Sequence, residues 1–385
     1  MIDGSAGPGD LVCFSHLRWG FVFQRPNHLM SRAARARRTF FFEEPRFDAA
    51  GPPTLEVAQA EPSLFVCTPH VAPDPAGSDL AAAQRGLLEE LVRERRVKPD
   101  VAWFYTPMAL PIARGLEAPL TVYDCMDELS AFAGAPPELG GLEAELFGRA
   151  DLVFTGGHSL YASKRRRHPD VHAFPSSVDA RHFAVARDGA RDPEDQAPIP
   201  RPRIGFFGVI DERIDLELIG RVARERPDWQ WVILGPVAKI DPAGLPRLPN
   251  IHWLGQKAYS VLPQYLSGWD VATMPFALNA STAFISPTKT LEYMAAGKPV
   301  VSTAVADVVE PYGRAGAVAI ADRESFTSAL ERALGADPAE VRRASDVWVA
   351  RTSWDRTWQQ MSDLVESALA RKRLAAGRRR ACSTT

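Results

Sequence analysis

A doubly wound α/β fold in two domains is what this sequence predicts, on three observations. Short, continuous apolar runs alternate with longer helical patterns. The rhythm breaks once near the middle of the chain. It then restarts with the same alternation. Continuous apolar runs mark strands buried on both faces, as in a parallel sheet between helical layers. The β-α-β-α order produces such a sheet. A length of 385 residues leaves room for two such cores.

In the first half, Asp10–Ser15, Thr39–Glu43, Val101–Phe104, Leu120–Asp124 and Asp151–Thr155 are continuous apolar runs of strand length. Helical patterns at Arg25–Ala36, Leu80–Arg96, Glu138–Arg149 and Ser159–His168 separate them. Arg187–Arg203 is rich in Pro, Asp and Arg and poor in large apolar residues, so a linker is expected there. Beyond it, Arg203–Gly208, Gln230–Gly235, Asn250–Leu254, Asp270–Pro275 and Pro299–Ser302 are the expected strands. Asp215–Glu225, Tyr259–Gly268, Pro287–Ala296 and Arg323–Leu334 are the expected helices. A last helix from about Trp354 to Ala376 is expected to cross back to the first domain. The resulting division is residues 1–187, a linker 188–203, a second domain 204–352, and a returning helix with a basic tail 353–385.

Composition narrows the class. Apolar residues make up 46% and charged residues 24%, near the globular average, which excludes a disordered or fibrous chain. No run approaches the ~20 apolar residues of a membrane span. Met1–Asp10 lacks the basic flank and apolar core of an export signal. A net charge of −2 gives no whole-molecule attraction to nucleic acid. Cys13, Cys67, Cys125 and Cys382 are far apart, so neither a zinc site nor a disulfide framework is indicated, and a cytoplasmic location fits. The histidines show no H-E-x-x-H spacing. Neither a Walker A motif nor G-x-S-x-G nor G-x-G-x-x-G occurs. Gly156-Gly157, after an expected strand, is either a phosphate-binding turn or simply a tight one.

The segment Ser286–Val301 (SPTKTLEYMAAGKPVV) carries the most chemistry. Ser286 suits an N-cap, Pro287 the first helical turn, and Gly297 the end. A helix start beyond a strand's carboxyl end favours an anion, and Thr288 and Lys289 add a hydroxyl and a cation. Glu292, one turn further on, is placed for a polyol hydroxyl attached to that anion. Upstream, Gly205–Arg213 (GFFGVIDER) follows a strand and precedes a helix. Arg213 there either clamps a diphosphate or pairs with Asp211 or Asp215. Strand Leu120–Asp124 ends in acids; Asp124 or Asp127 would contact a sugar hydroxyl or orient an acceptor, or Asp127 would cap a short helix.

The helix–Glu–Gly–Lys–Pro–Val–Val segment resembles the donor signature of GT-B glycosyltransferases of the large retaining group 1 family. The resemblance implies that Glu292 holds the ribose of a nucleotide-sugar, and that Gly208 and Arg213 adjoin its diphosphate. It also implies that Gly255 and Gln256, in HWLGQ, flank the nucleobase. The family's second glutamate position holds Phe284, and its usual Arg position holds Val209; Ser281 and Thr282 are candidate substitutes near the sugar. The opening His16–Leu29 (HLRWGFVFQRPNHL), with YDCMDE, FTGGHSL and FPSSVD following in order, resembles the TuaH-like subgroup of bacterial surface-polysaccharide transferases. His16, Trp19, Gln24 and Arg25 are the expected acceptor-side residues.

The expected fold is therefore two Rossmann-like domains facing a cleft. The expected activity is transfer, of the hexosyltransferase class and with retention, from a nucleotide-diphosphate sugar to a saccharide or lipid-linked acceptor. Asp124, Asp127, Arg213 and Lys289 are the expected catalytic groups, and no metal or other cofactor is expected. The basic tail (Arg371–Arg373, Arg378–Arg380) suggests peripheral contact with an anionic membrane. Two other functions on the same scaffold are a non-catalytic nucleotide-sugar-binding partner of a polysaccharide assembly complex and a sugar epimerase.

Overall fold

The computed structural model describes residues 8–73 and 80–382, with side chains up to Arg378. The first seven residues, which bear on the expected absence of an export signal, lie outside the described residues, as do the side chains of Arg379 and Arg380.

The first sheet contains β1 (Asp10–Phe14), β2 (Thr39–Phe42), β3 (Arg46–Phe47), β4 (Thr54–Glu61), β5 (Leu64–Val71), β6 (Pro99–Phe104), β7 (Leu120–Cys125), β8 (Leu152–Thr155) and β9 (Val171–Ala173). Their order is β3-β5-β2-β1-β6-β7-β8-β9, all parallel, and β4 lies antiparallel on β5. Helices α1 (Arg25–Ala33), α2 (Leu80–Glu94), α3 (Leu139–Arg149), α4 (His158–Lys164) and α5 (Ala180–Ala184) belong to this half of the chain. Strands β10 (Arg203–Phe207), β11 (Gln230–Leu234), β12 (Ile251–Gly255), β13 (Val271–Met274), β14 (Val300–Ser302) and β15 (Ala319–Ile320) form the second sheet. Its order is β12-β11-β10-β13-β14-β15, all parallel. Helices α6 (Leu216–Glu225), α7 (Leu262–Ser267), α8 (Lys289–Ala295), α9 (Ala306–Val308), α10 (Phe326–Leu334) and α11 (Pro338–Val349) accompany it. The last helix is α12 (Trp354–Cys382).

Two sequence expectations change. The hairpin β4–β5 was not anticipated, because β4 is largely exposed and its outward residues are polar. Segment 188–203 is not a solvated linker but a strap folded onto the second domain. Val178, Phe183 and Ala186 enter that domain's core upstream of it. Within it, Asp192 pairs with Arg203 (2.6 Å), Gln196 accepts the Trp269 indole N–H (2.9 Å), and Asp195 pairs with Lys257 (2.6 Å). Its polarity serves these pairs rather than solvent.

Strand order reverses beside β1 in the first sheet and between β10 and β13 in the second, and ligands of open α/β sheets bind outside the carboxyl ends at such points. Helix α12 closes one face of the first sheet. Trp354, Met361, Val365 and Leu369 pack with Leu29, Met30 and Trp103, and Arg32 holds Asp355 at 2.9 Å. At its far end, Lys372 pairs with Asp151 (2.6 Å), Arg373 with Asp100 (2.8 Å) and Arg371 with Asp170 (3.7 Å). Among the described residues no helix is long and apolar enough to cross a membrane.

Candidate active site in the cleft between the domains

The floor of the cleft is glycine. Gly208, after β10, has φ +144°, and a Cβ there would lie 2.3 Å from Cε of Lys289. Gly235, after β11, has φ +140°, and its Cβ would lie 1.8 Å from the Gly208 carbonyl oxygen. Both positions combine a left-handed backbone with a close approach that side chains would block. Above this floor is a pocket of about 280 Å³. From the second domain it is lined by Arg213, Gln256, Tyr259, Thr288, Lys289 and Glu292; from the first, by Trp19, Gln24 and Phe23.

Helix α8 begins at Lys289 rather than at the expected Pro287, so the N-cap is not Ser286. Thr288 takes the N-cap position without a side-chain cap, and Ser286 instead turns to the first domain, where its carbonyl accepts the Ser176 hydroxyl at 2.5 Å. With only two turns of helix, the site's affinity for an anion rests on the Lys289 cation more than on a dipole. Lys289 makes no ion pair among the described residues; its ammonium lies 5.7 Å from the Phe206 ring centroid. Burial pushes its pKa down to about 8, against the attraction of Glu292. Glu292 is 4% exposed and its Oε2 has no hydrogen-bond partner. Burial pushes its carboxyl up to about 7, and Lys289 opposes the shift. A buried acceptor without a partner, beside a half-buried cation, is costly unless a ligand completes it.

Arg213 also lines the pocket, but it is held by Asp211 (Nη2–Oδ2 2.7 Å) and lies over Phe132 at 5.4 Å. The pairing alternative is therefore realised with Asp211, while Asp215 caps α6 and binds Arg323. An adjoining crevice of about 100 Å³ brings Arg25 and Asp127 opposite Arg213, Ser286 and Lys289. Asp127 caps no helix; Glu128 holds the N-cap position of the short turn that follows. Its carboxyl is pushed up to about 6 by burial, with Arg213 opposing and Asp211 adding to the shift.

Two of the expected placements have other partners here. Asp124 is fully buried and bound by Arg25 at 2.8 Å, so it orients Arg25 and cannot reach a sugar. Ser281 and Thr282 form a local capping box with Asn279 and lie outside both cavities, because their hydroxyls bond to Asn279 and to the Ala277 carbonyl. At Gly156-Gly157 the tight-turn alternative is realised: the next two amides, His158 and Ser159, donate to the Asp307 carboxylate of the second domain at 2.8 and 2.9 Å. His16 faces a different cavity from Trp19 and Gln24. Gly255 (φ +71°) shapes the strand end that delivers Gln256, whose amide donates to the Phe21 carbonyl across the cleft. Phe284 packs against the first-domain core, and Val209 lines both parts of the cleft. Tyr259, which the sequence does not mark as a site residue, packs against the second-domain core and also forms a pocket wall stacked on Phe23 at 4.5 Å.

Residues 201–336, which carry the glycine floor, Arg213, Lys289 and Glu292, match the family described as glycosyl transferases group 1. The chain is a glycosyltransferase whose second domain matches the group 1 family. The transferase is 25% identical over 299 residues to the teichuronic acid biosynthesis glycosyltransferase TuaH of Bacillus subtilis (strain 168), covering 71% of this chain and 74% of that one. Its fold is GT-B. Sucrose-phosphate synthase from Thermosynechococcus elongatus superposes with a TM-score of 0.71 at 15% identity, over 94% of this chain and 100% of that one. A trehalose-6-phosphate protein from E. coli, solved with UDP-2-fluoro glucose, gives 0.66 at 14% identity, over 93% and 99%.

Two outcomes are expected for the transferase's carboxylates. Asp127 has a folded pKa above its unfolded one, so ionised Asp127 costs stability progressively as pH rises from about 4 to about 6. Asp127→Asn should raise the melting temperature at neutral pH, a gain that fades toward about pH 4, while turnover falls. Calorimetric scans of both proteins across that range check it. Glu292→Gln should weaken binding of the best nucleotide-sugar by about 1.5–3 kcal/mol, the value of a hydrogen bond to a charged group. The fold should persist, because burial already disfavours the ionised carboxyl. Titration calorimetry with unchanged affinity would remove Glu292 from the site.

Proposed function

We propose that the cleft binds a nucleotide-diphosphate sugar and moves its sugar, with retention, to a saccharide or lipid-linked acceptor held against the first domain. The observation that carries this is Lys289, without an ion pair among the described residues, beside Glu292, whose Oε2 lacks a hydrogen-bond partner, over a glycine floor. Lys289, with Arg213 beside it, meets the diphosphate, and Glu292 takes the ribose hydroxyls. Lys289 and Arg213 stand in place before reaction, so they stabilise the negative charge that grows on the leaving phosphate with little reorganisation. No metal is needed in principle for that step.

Retention is taken from the group 1 resemblance, and the carboxylates of the cleft are distributed consistently with it. Asp124 is bound to Arg25 and Asp211 to Arg213, which leaves Asp127 to bind a sugar hydroxyl or to orient the acceptor. In a front-face displacement the anomeric C–O bond to phosphate breaks and the acceptor oxygen bonds to the same carbon on the same face. The acceptor's proton goes to the departing phosphate oxygen. A role in cell-surface polysaccharide synthesis is supported by the TuaH likeness, and a cytoplasmic setting is part of the proposal. Contact of the tail with an anionic membrane is its weakest part, because Arg371, Lys372 and Arg373 are turned onto aspartates of the first domain.

Val209 and Phe284, where the family has charged groups, favour one second function: a partner that binds nucleotide-sugar without turning it over. Incubation with a panel of nucleotide-sugars, scored for nucleoside diphosphate with and without glycan acceptors, separates the possibilities. Release only with acceptor is the expected result. Binding without release would establish the non-catalytic function, and release without acceptor would point to an epimerase or hydrolase.

A further inference from the structure

A second cavity, of about 550 Å³, lies under the first-domain loops at the carboxyl ends of β1, β2 and β6. That volume suits a small organic ligand. Phe14, Phe42, Leu80, Met108, Ile112 and Leu142 make most of its wall, and Phe47, 49% exposed, stands at its edge. Polar side chains, among them Gln84, Thr106 and Glu138, interrupt this wall. His16 Nδ1 and Arg18 Nη1 are buried and make no hydrogen bond, although Arg18 lies 4.0 Å from Glu43 and its Nη2 donates to the Pro45 carbonyl at 2.8 Å. Glu43 is already engaged by the Thr68 hydroxyl (2.8 Å) and the Trp19 amide (2.7 Å). Burial holds His16 down at about 4, so its imidazole is neutral.

The cavity adjoins the cleft through a single loop. His16 and Arg18 face the cavity, whereas Trp19 to Gln24 face the pocket of Lys289 and Glu292. Lys239 of the second domain stands close enough to act on both His16 and Glu44, which places the second domain near the cavity's mouth. Mainly apolar walls rimmed by the carboxylates Glu43, Glu44 and Glu138, with a neutral imidazole, do not suit a second nucleotide or a diphosphate. They suit an apolar body bearing a hydroxyl.

We propose that this cavity holds an apolar group carried by the acceptor, with His16 and Arg18 hydrogen-bonding the oxygen where that group joins the acceptor's polar part. The occupant's role as acceptor rests on the glycosyl-transfer proposal above. The two are tested separately in one experiment. The full chain is titrated by calorimetry with octyl β-glucoside below its micelle concentration and with methyl β-glucoside, which carries the same sugar without the chain. UDP, GDP and ADP are titrated in parallel. Ala81→Phe, on α2 at the cavity wall, fills the space without touching the cleft, and Met108→Trp repeats the test should the first variant fold poorly.

The octyl glycoside should bind at least ~tenfold more tightly than the methyl glycoside, from burial of its chain. Both filled variants should lose that preference while keeping wild-type nucleoside diphosphate affinity. Equal binding of the two glycosides by the wild type, or a preference that survives in both folded variants, would overturn the proposal. Absence of any nucleoside diphosphate binding in the wild type would instead remove the donor assignment, and with it the occupant's role as acceptor.

Discussion

Lys289→Ala should lower turnover by about a hundred- to a thousandfold, the cost of removing one preorganised group that meets developing negative charge. The reason is its lack of a partner. Lys289 forms no ion pair among the described residues, so its ammonium donors are open to a diphosphate, and the Gly208 backbone leaves room for its stem. Arg213 differs: Asp211 already takes up two of its N–H groups, so Arg213→Ala should cost less. The double variant should fall short of the product of the two, since both act on one leaving group. Stability should not fall with Lys289→Ala. A lysine whose pKa is lowered on folding binds its proton less tightly in the native state, so charged Lys289 costs stability below about pH 8. Steady-state kinetics with melting curves check both halves, and a fully active Lys289→Ala variant would displace the lysine from the site.

Arg25→Ala should destabilise the protein by about 3–5 kcal/mol, the usual penalty for leaving a buried charge without its partner. Asp124 has no exposed surface, and the Arg25 guanidinium reaches both of its oxygens (2.8–3.1 Å) and the Phe174 carbonyl (2.6 Å). Burial raises the Asp124 pKa, and Arg25 only partly offsets it, so a lone Asp124 would be strained. The pair also has a function beyond stability: it aims Arg25 into the crevice beside Asp127. The variant Arg25→Met with Asp124→Leu separates the two effects. An apolar replacement of a buried ion pair is often neutral or stabilising. Melting temperature should therefore recover in the double variant while turnover stays low. Recovery of both would show the pair to be packing alone.

Which parts were legible in the sequence follows from physical range. Strands such as Leu152–Thr155 and Gln230–Leu234 declared themselves because burial on both faces demands unbroken apolar runs. Strand β4 did not, since an exposed edge strand needs no apolar signature. Lys289 and Glu292 were legible because one helix carries both and spacing fixes their common face. Asp124 was misjudged because its partner lies 99 residues away, and no local pattern reveals a buried ion pair. Ser281 and Thr282 were misjudged for the opposite reason: their bonds are local to Asn279, and hydroxyls near a turn satisfy the backbone before any ligand. The strap 188–203 looked like a tether because ion pairs across a surface use the same residues as a solvated linker.

The central claim is that the cleft over Gly208 and Gly235 is a nucleoside diphosphate site completed by Lys289. Titration calorimetry with UDP, GDP and ADP tests it most directly, run at about pH 8.5 in buffers of different ionisation enthalpy. An arriving diphosphate should raise the pKa of Lys289 from about 8, so binding at that pH should take up a proton. One of the three nucleotides should bind with measurable proton uptake, and Lys289→Ala should lose both the affinity and the uptake. Binding without uptake, or uptake that persists in Lys289→Ala, would contradict the claim.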